Sequence, residues 1–125
     1  MSINSCLKSN KIFELTKIVT KELLTLGYNF KLQGTQYLLE SIVYICSKRD
    51  MNLLENLEKN VYKYISNKNN KRVSNIKTSI IKSTNYVYDY QDEKKLHNYF
   101  SIDIKITPKL VISTVVKKVL LNNKN

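Results

Sequence analysis

Seven positive side chains fall between Lys59 and Tyr88, at Lys59, Lys63, Lys68, Lys71, Arg72, Lys77 and Lys82, and no Asp or Glu interrupts them. Cations at this density, without counter-charges in the same stretch, suit phosphate. Among them stand three short polar residues, Ser74, Asn75 and Thr78, whose donors and acceptors match those of base edges in a DNA major groove. Asn75 can bond an adenine edge bidentately, while Ser74 and Thr78 donate or accept less selectively. Of the formal charge of +11, residues 1–58 carry +1, 59–88 carry +7, 89–104 carry −2 and 105–125 carry +5. A bias towards Lys, Asn, Ile and Tyr raises the isoelectric point of any chain. It does not clear every carboxylate from one long stretch.

These side chains act together only if helices put them on one face. Val73, Ile76, Ile80, Thr84 and Val87 recur at helical spacing, and at about 100° per residue they leave Lys71, Ser74, Asn75, Thr78, Lys82 and Asn85 on the opposite side. Before this helix the polar run Ser66 to Asn70 reads as a turn. Before the turn, Leu53, Leu54, Leu57, Val61, Tyr64 and Ile65 suit either one helix or two short ones meeting near Lys59. Helix, short polar turn and helix is the outline of a helix-turn-helix, in which the first helix braces the second in the groove and nearby cations hold phosphates. Any amphipathic helix has a solvated face. The concentrated charge, the preceding helix and the turn favour a face that meets DNA, with Lys71, Ser74, Asn75, Thr78 and Lys82 towards the bases. Lys63, Lys68, Arg72 and Lys77, with Lys105 and Lys109 near the last helix, are the expected phosphate contacts. About five such contacts give a slope of log affinity against log salt of roughly −4 to −5.

The rest of the chain also reads as helix. With only two glycines and one proline, a turn-rich β domain is excluded. Ile12, Leu15, Val19, Leu23 and Leu26 form a first stripe that Gly27 ends. A loop follows to Gly34, Thr35 is placed to cap a second helix with the stripe Leu38, Ile42 and Ile45, and Tyr37 and Tyr44 sit on its shoulders. Asp50 is placed to cap the next segment. Leu96, Tyr99 and Phe100 indicate a short helix within an acidic connection, and Thr107 before Pro108 starts a last helix with Val111, Ile112, Val115 and Val119 inward. The nine tyrosines read as helix packing, since no sheet presents them for base stacking. The expected class is all-α, a compact six-helix domain over residues 12–121, with a short extension at 1–11 and a tail at 122–125.

Other chemistries find little support. His97 has no Cys or Ser partner pattern. Asp89, Asp92 and Glu93 read as a charge bias at a helix start, and Gly27 and Gly34 fit no phosphate loop. No enzyme activity, cofactor or metal is expected. Cys6 and Cys46 form neither a disulfide framework nor a ligand spacing, which points to a reducing compartment, the cytoplasm. No apolar run has the length of a signal peptide core or a membrane span.

The run VTKELLTLGYNFKLQGTQYLLESI, residues 19–42, resembles the opening of the DNA-binding effector domain of the stage-zero sporulation response regulator of endospore-forming bacteria. GTQYLLESI, Gly34 to Ile42, is its most specific piece. The resemblance continues through LLENLEKNVYKYISNKNN, RVSNIKTSI and KITPKLVISTVVKKVL, over about residues 12–121, and rests on the order and spacing of these pieces. It implies a six-helix domain with a helix-turn-helix that binds short AT-rich promoter boxes, often as tandem copies, and touches RNA polymerase through its sigma subunit. A dimer on DNA is thereby also implied.

Two departures stand out. The family usually reads bases with charged residues early in the recognition helix and an Arg further on. A gapless match puts those roles on Ser74, Asn75 and Thr78, and a shift of one residue puts them on Val73, Ser74 and Lys77. Periodicity favours the first, since it keeps Val73 inward, and either register implies a different target box. Second, the family's N-terminal receiver domain, with its phosphorylated aspartate, has no counterpart in the dozen or so residues before the match, so phosphorylation control is expected to be absent. KITP also replaces a more usual Pro-before-Thr order ahead of the last helix. The leading expectation is a sequence-specific regulator of transcription. The alternative is an interaction module that binds a sigma subunit or a full-length sporulation regulator and interferes with it.

Overall fold

Gly27 ends the first helix as the apolar spacing requires. Its φ of 96° lies in the left-handed region open to glycine, and the turn closes with Gly27 N–H on Leu24 O and Tyr28 N–H on Leu23 O, each at 3.0 Å. The computed structural model describes residues 3–90, 93–100 and 105–122, with side chains from residue 10 onward. Six α-helices are present and no strand among the described residues. They are α1 (Ile3–Leu26), α2 (Gln33–Lys48), α3 (Lys63–Asn69), α4 (Val73–Tyr90), α5 (Glu93–Phe100) and α6 (Pro108–Asn122). A 3₁₀ helix, Met51–Asn56, and a wider π turn, Glu58–Tyr62, lead into α3, so of the two arrangements the apolar spacing allows, the segment after Asp50 is two helical pieces that meet near Leu57. Asp50 caps it as expected, its Oδ1 accepting from Asn52 N–H at 3.0 Å.

The helix α2 is the central one. It packs on α1, α4 and α6 and is buried round much of its circumference, with Leu38, Ile42 and Ile45 fully inside. A helix apolar on most sides belongs at the centre of a bundle. Leu15, Val19, Leu23 and Leu26 of α1, Ile76, Ile80 and Val87 of α4, and Val111, Ile112, Val115, Val116 and Val119 of α6 complete the core. Most of the expected apolar positions are buried, but Ile12 and Tyr64 are exposed, and Leu53, Leu54, Leu57, Val73 and Tyr99 are only partly buried. The helix α1 begins at Ile3, ahead of the periodic stripe.

Two local expectations need correction. Thr35 does not cap α2. The helix starts earlier, after Leu32, and the buried Thr35 hydroxyl turns back to donate to Asn29 O at 2.7 Å, bracing the preceding loop. The polar run before α4 is mostly helical as well: α3 continues through Asn69, and the chain reverses at Asn70, whose φ of 54° is left-handed. Asn tolerates that region better than most residues. The Asn70 and Lys71 N–H groups both reach Ser66 O, and Ser66 Oγ donates to Lys71 O, so the small buried serine ties the turn.

The last helix starts as its sequence indicates, Thr107 Oγ1 accepting from Leu110 N–H at 3.2 Å with Pro108 at the first position. Within the acidic connection α5 buries Leu96 and Phe100. Asp92, the side chain of Glu93 and the end of the tail lie outside the described residues.

Candidate nucleic-acid interface

The helix α4 buries one side and presents the other. Ile76 and Ile80 are wholly inside, Val73 packs half-buried against the core, and Lys71, Ser74, Asn75, Thr78, Lys82 and Asn85 are all exposed. Val73 therefore points inward, as in the gapless register. Lys71, Asn75, Thr78 and Lys82 are brought together on one open cleft of about 400 Å³, whose other wall is Gln33 and Tyr37 of α2, with Ser79 at its base. Ser74 shares the exposed face without lining the cleft.

Gly34 makes this approach possible. It lies in the first turn of α2 against the α4 backbone, where a Cβ would come 1.8 Å from Ser79 O and 2.5 Å from Ser83 Oγ. No residue with a side chain fits without separating the helices. The close crossing brings Gln33, the residue before Gly34, beside Asn75 and Thr78. Gln33 was not among the residues expected from sequence; its signal was the glycine that follows it.

The basic residues differ in their surroundings. Lys63, Arg72, Lys71 and Lys82 are exposed and make no ion pair among the described residues. Lys68 is paired with Glu40 at 3.0 Å, and Lys77 with Glu58. Lys105 lies over the Tyr88 ring, 5.4 Å from its centroid. Lys109 lines a largely apolar groove with Leu54, Leu57, Ile81 and Pro108, into which Glu58 and Lys77 also reach. The phosphate contacts expected from sequence thus do not form one patch.

Buried polar groups fix α4 from behind. Tyr28, in the loop after α1, shares a 2.8 Å hydrogen bond with Thr84, and burial raises its phenol pKa. Burial also pushes the Cys46 thiol and the Tyr62 phenol up to about 12 each. Cys46 is thereby a protonated core residue rather than a nucleophile. His97 is exposed on α5. Among the described residues no group of three or more His, Cys, Asp or Glu is placed to hold a metal, and no helix is long and apolar enough to cross a membrane.

An all-α bundle in which a braced helix turns a polar, basic face outward after a tight turn has the form of a helix-turn-helix DNA-binding domain. The chain belongs to the family described as sporulation initiation factor Spo0A C terminal, whose model matches residues 19–121. It is a DNA-binding effector domain of that sporulation-regulator family. No curated protein matches the chain.

Proposed function

We propose that this domain binds double-stranded DNA sequence-specifically, with α4 in the major groove, Ser74, Asn75 and Thr78 at base edges, and Lys71 and Lys82 flanking them. The observation that carries the reading is the exposed α4 face from Lys71 to Asn85, free of carboxylates and open to solvent. Lys63, Arg72, Lys105 and Lys109 supply phosphate contacts, and Lys68 and Lys77 reach phosphate only by leaving their carboxylates.

Titration with a mixed-sequence duplex over a salt series tests this directly. A slope of roughly −3.6 in log affinity against log salt is expected for the phosphate contacts of Lys63, Arg72, Lys105 and Lys109, and the unphosphorylated chain should bind. The interaction-module reading draws on the uncharged character of Ser74, Asn75 and Thr78, and it predicts a protein partner captured from extract equally well with and without nuclease. A capture that nuclease abolishes supports DNA as the partner.

A further inference from the structure

Two of the seven cations between Lys59 and Tyr88 are already engaged, by carboxylates from outside that stretch. Glu40 is held from two sides, by Lys68 Nζ at 3.0 Å and by Asn69 Nδ2 at 3.1 Å. Glu58, on the π turn that leads into α3, pairs with Lys77 on the flank of α4. The fold therefore returns to this region part of the negative charge that its sequence omits. It places that charge on Lys68 of α3 and on Lys77 at the flank of α4 rather than on Lys71 or Lys82, which lie on the exposed face.

We propose that Glu40 and Glu58 hold down the sequence-independent part of DNA affinity, and with it the salt dependence, by withholding Lys68 and Lys77 from the phosphate backbone. This rests on the reading of α4 as the helix that faces DNA. Unspecific affinity comes from counterion release, at about 0.9 of a unit of salt slope for each phosphate neutralised. A lysine that leaves a carboxylate to reach a phosphate exposes an anion, which takes up a cation from solution and also faces the DNA. The exchange releases almost no net counterion. Contacts from Asn75 and its neighbours to base edges do not pass through these lysines, so the pairing lowers affinity for every sequence alike and leaves discrimination to the α4 face. The exposed Glu58–Lys77 pair contributes little to folding, and Glu40→Gln keeps an oxygen for Asn69 Nδ2 at the half-buried site.

The test compares the parent chain with Glu40→Gln, Glu58→Gln and Glu55→Gln on an unrelated duplex and on one selected from a random pool, over a salt series. Glu55 is exposed and has no ion pair among the described residues, so its variant removes the same charge without freeing a lysine. On the unrelated duplex, Glu40→Gln and Glu58→Gln should each steepen the salt slope by about 1, Glu55→Gln should leave it unchanged, and adding Lys77→Ala to Glu58→Gln should restore the parent slope. The ratio of selected to unrelated affinity should stay that of the parent in the two steepened variants, because the freed lysines touch no base. Equal slopes in all the chains, or a steepening that survives Lys77→Ala, would overturn the proposal. A parent chain that binds neither duplex at the lowest salt defeats the DNA reading itself and this proposal with it, a result distinct from flat slopes in a chain that binds.

Discussion

Asn75 and Lys82 stand on the same exposed face of α4, yet their chemistry assigns them different effects. A side-chain amide that bonds a base edge carries sequence information, so Asn75→Ala should reduce discrimination at one base pair by about 1–3 kcal/mol. An affinity profile over single-base variants of a selected duplex would show that loss at one position. Truncating a lysine expected to touch only phosphate, such as Lys63, weakens all sequences alike and lowers the salt slope by about 1. The residue types at these positions were legible in the sequence, as was their side of the helix, because Val73, Ile76 and Ile80 set the buried stripe. The ion partners were not. Glu40 and Glu58 lie far from Lys68 and Lys77 in the chain or across a turn, and only the packing of α2 and the π turn against α3 and α4 brings each pair together.

At the scale of elements, the crossing of α2 and α4 decides what the reading face looks like. Gly34 reads in the sequence as the end of a loop, since helix interiors disfavour glycine. In the fold it is a helical residue whose missing side chain admits the α4 backbone. Gly34→Ala should cost at least about 1–3 kcal/mol by overpacking, seen as a lower denaturation midpoint. Because it moves α4 relative to Gln33, it should also weaken binding to a selected duplex more than binding to unrelated DNA. The other elements follow apolar spacing and end signals that the sequence displays, such as Gly27, Asp50 and Thr107 before Pro108. The 3₁₀ and π turns at 51–62 were hidden, because their leucines fit several helical repeats equally well, and the π turn packs on both α2 and α4 only in the folded chain. The hydroxyl of Thr35 was misread as a cap for a similar reason, the loop carbonyl it braces being visible only once the chain has folded.

The whole molecule depends on a core that holds titratable groups protonated. Burial pushes Cys46 from its ordinary 9.0, and Tyr62 from 10.0, up to about 12. Both folded values lie above the unfolded ones, so the stability they contribute is fully present below about pH 9 and is lost as pH rises towards 12. Each group should remove up to about 1.4 kcal/mol per pH unit across its window. Guanidinium denaturation at pH 8 and pH 10.5 should show the fall, and Cys46→Ala should make it shallower. Across the bundle, Glu22 of α1 accepts from Tyr99 of α5 at 2.7 Å and pairs with Lys118 of α6 at 3.0 Å. These links tie α1 to α5 and α6. The central claim is that this face reads DNA sequence, and selection of duplexes from a random pool by the purified chain at near-physiological salt tests it most directly. A single enriched motif, whose preference at one base pair is lost with Asn75→Ala, is the predicted result. A pool that enriches no motif, with Asn75→Ala binding as well as the parent, would contradict it.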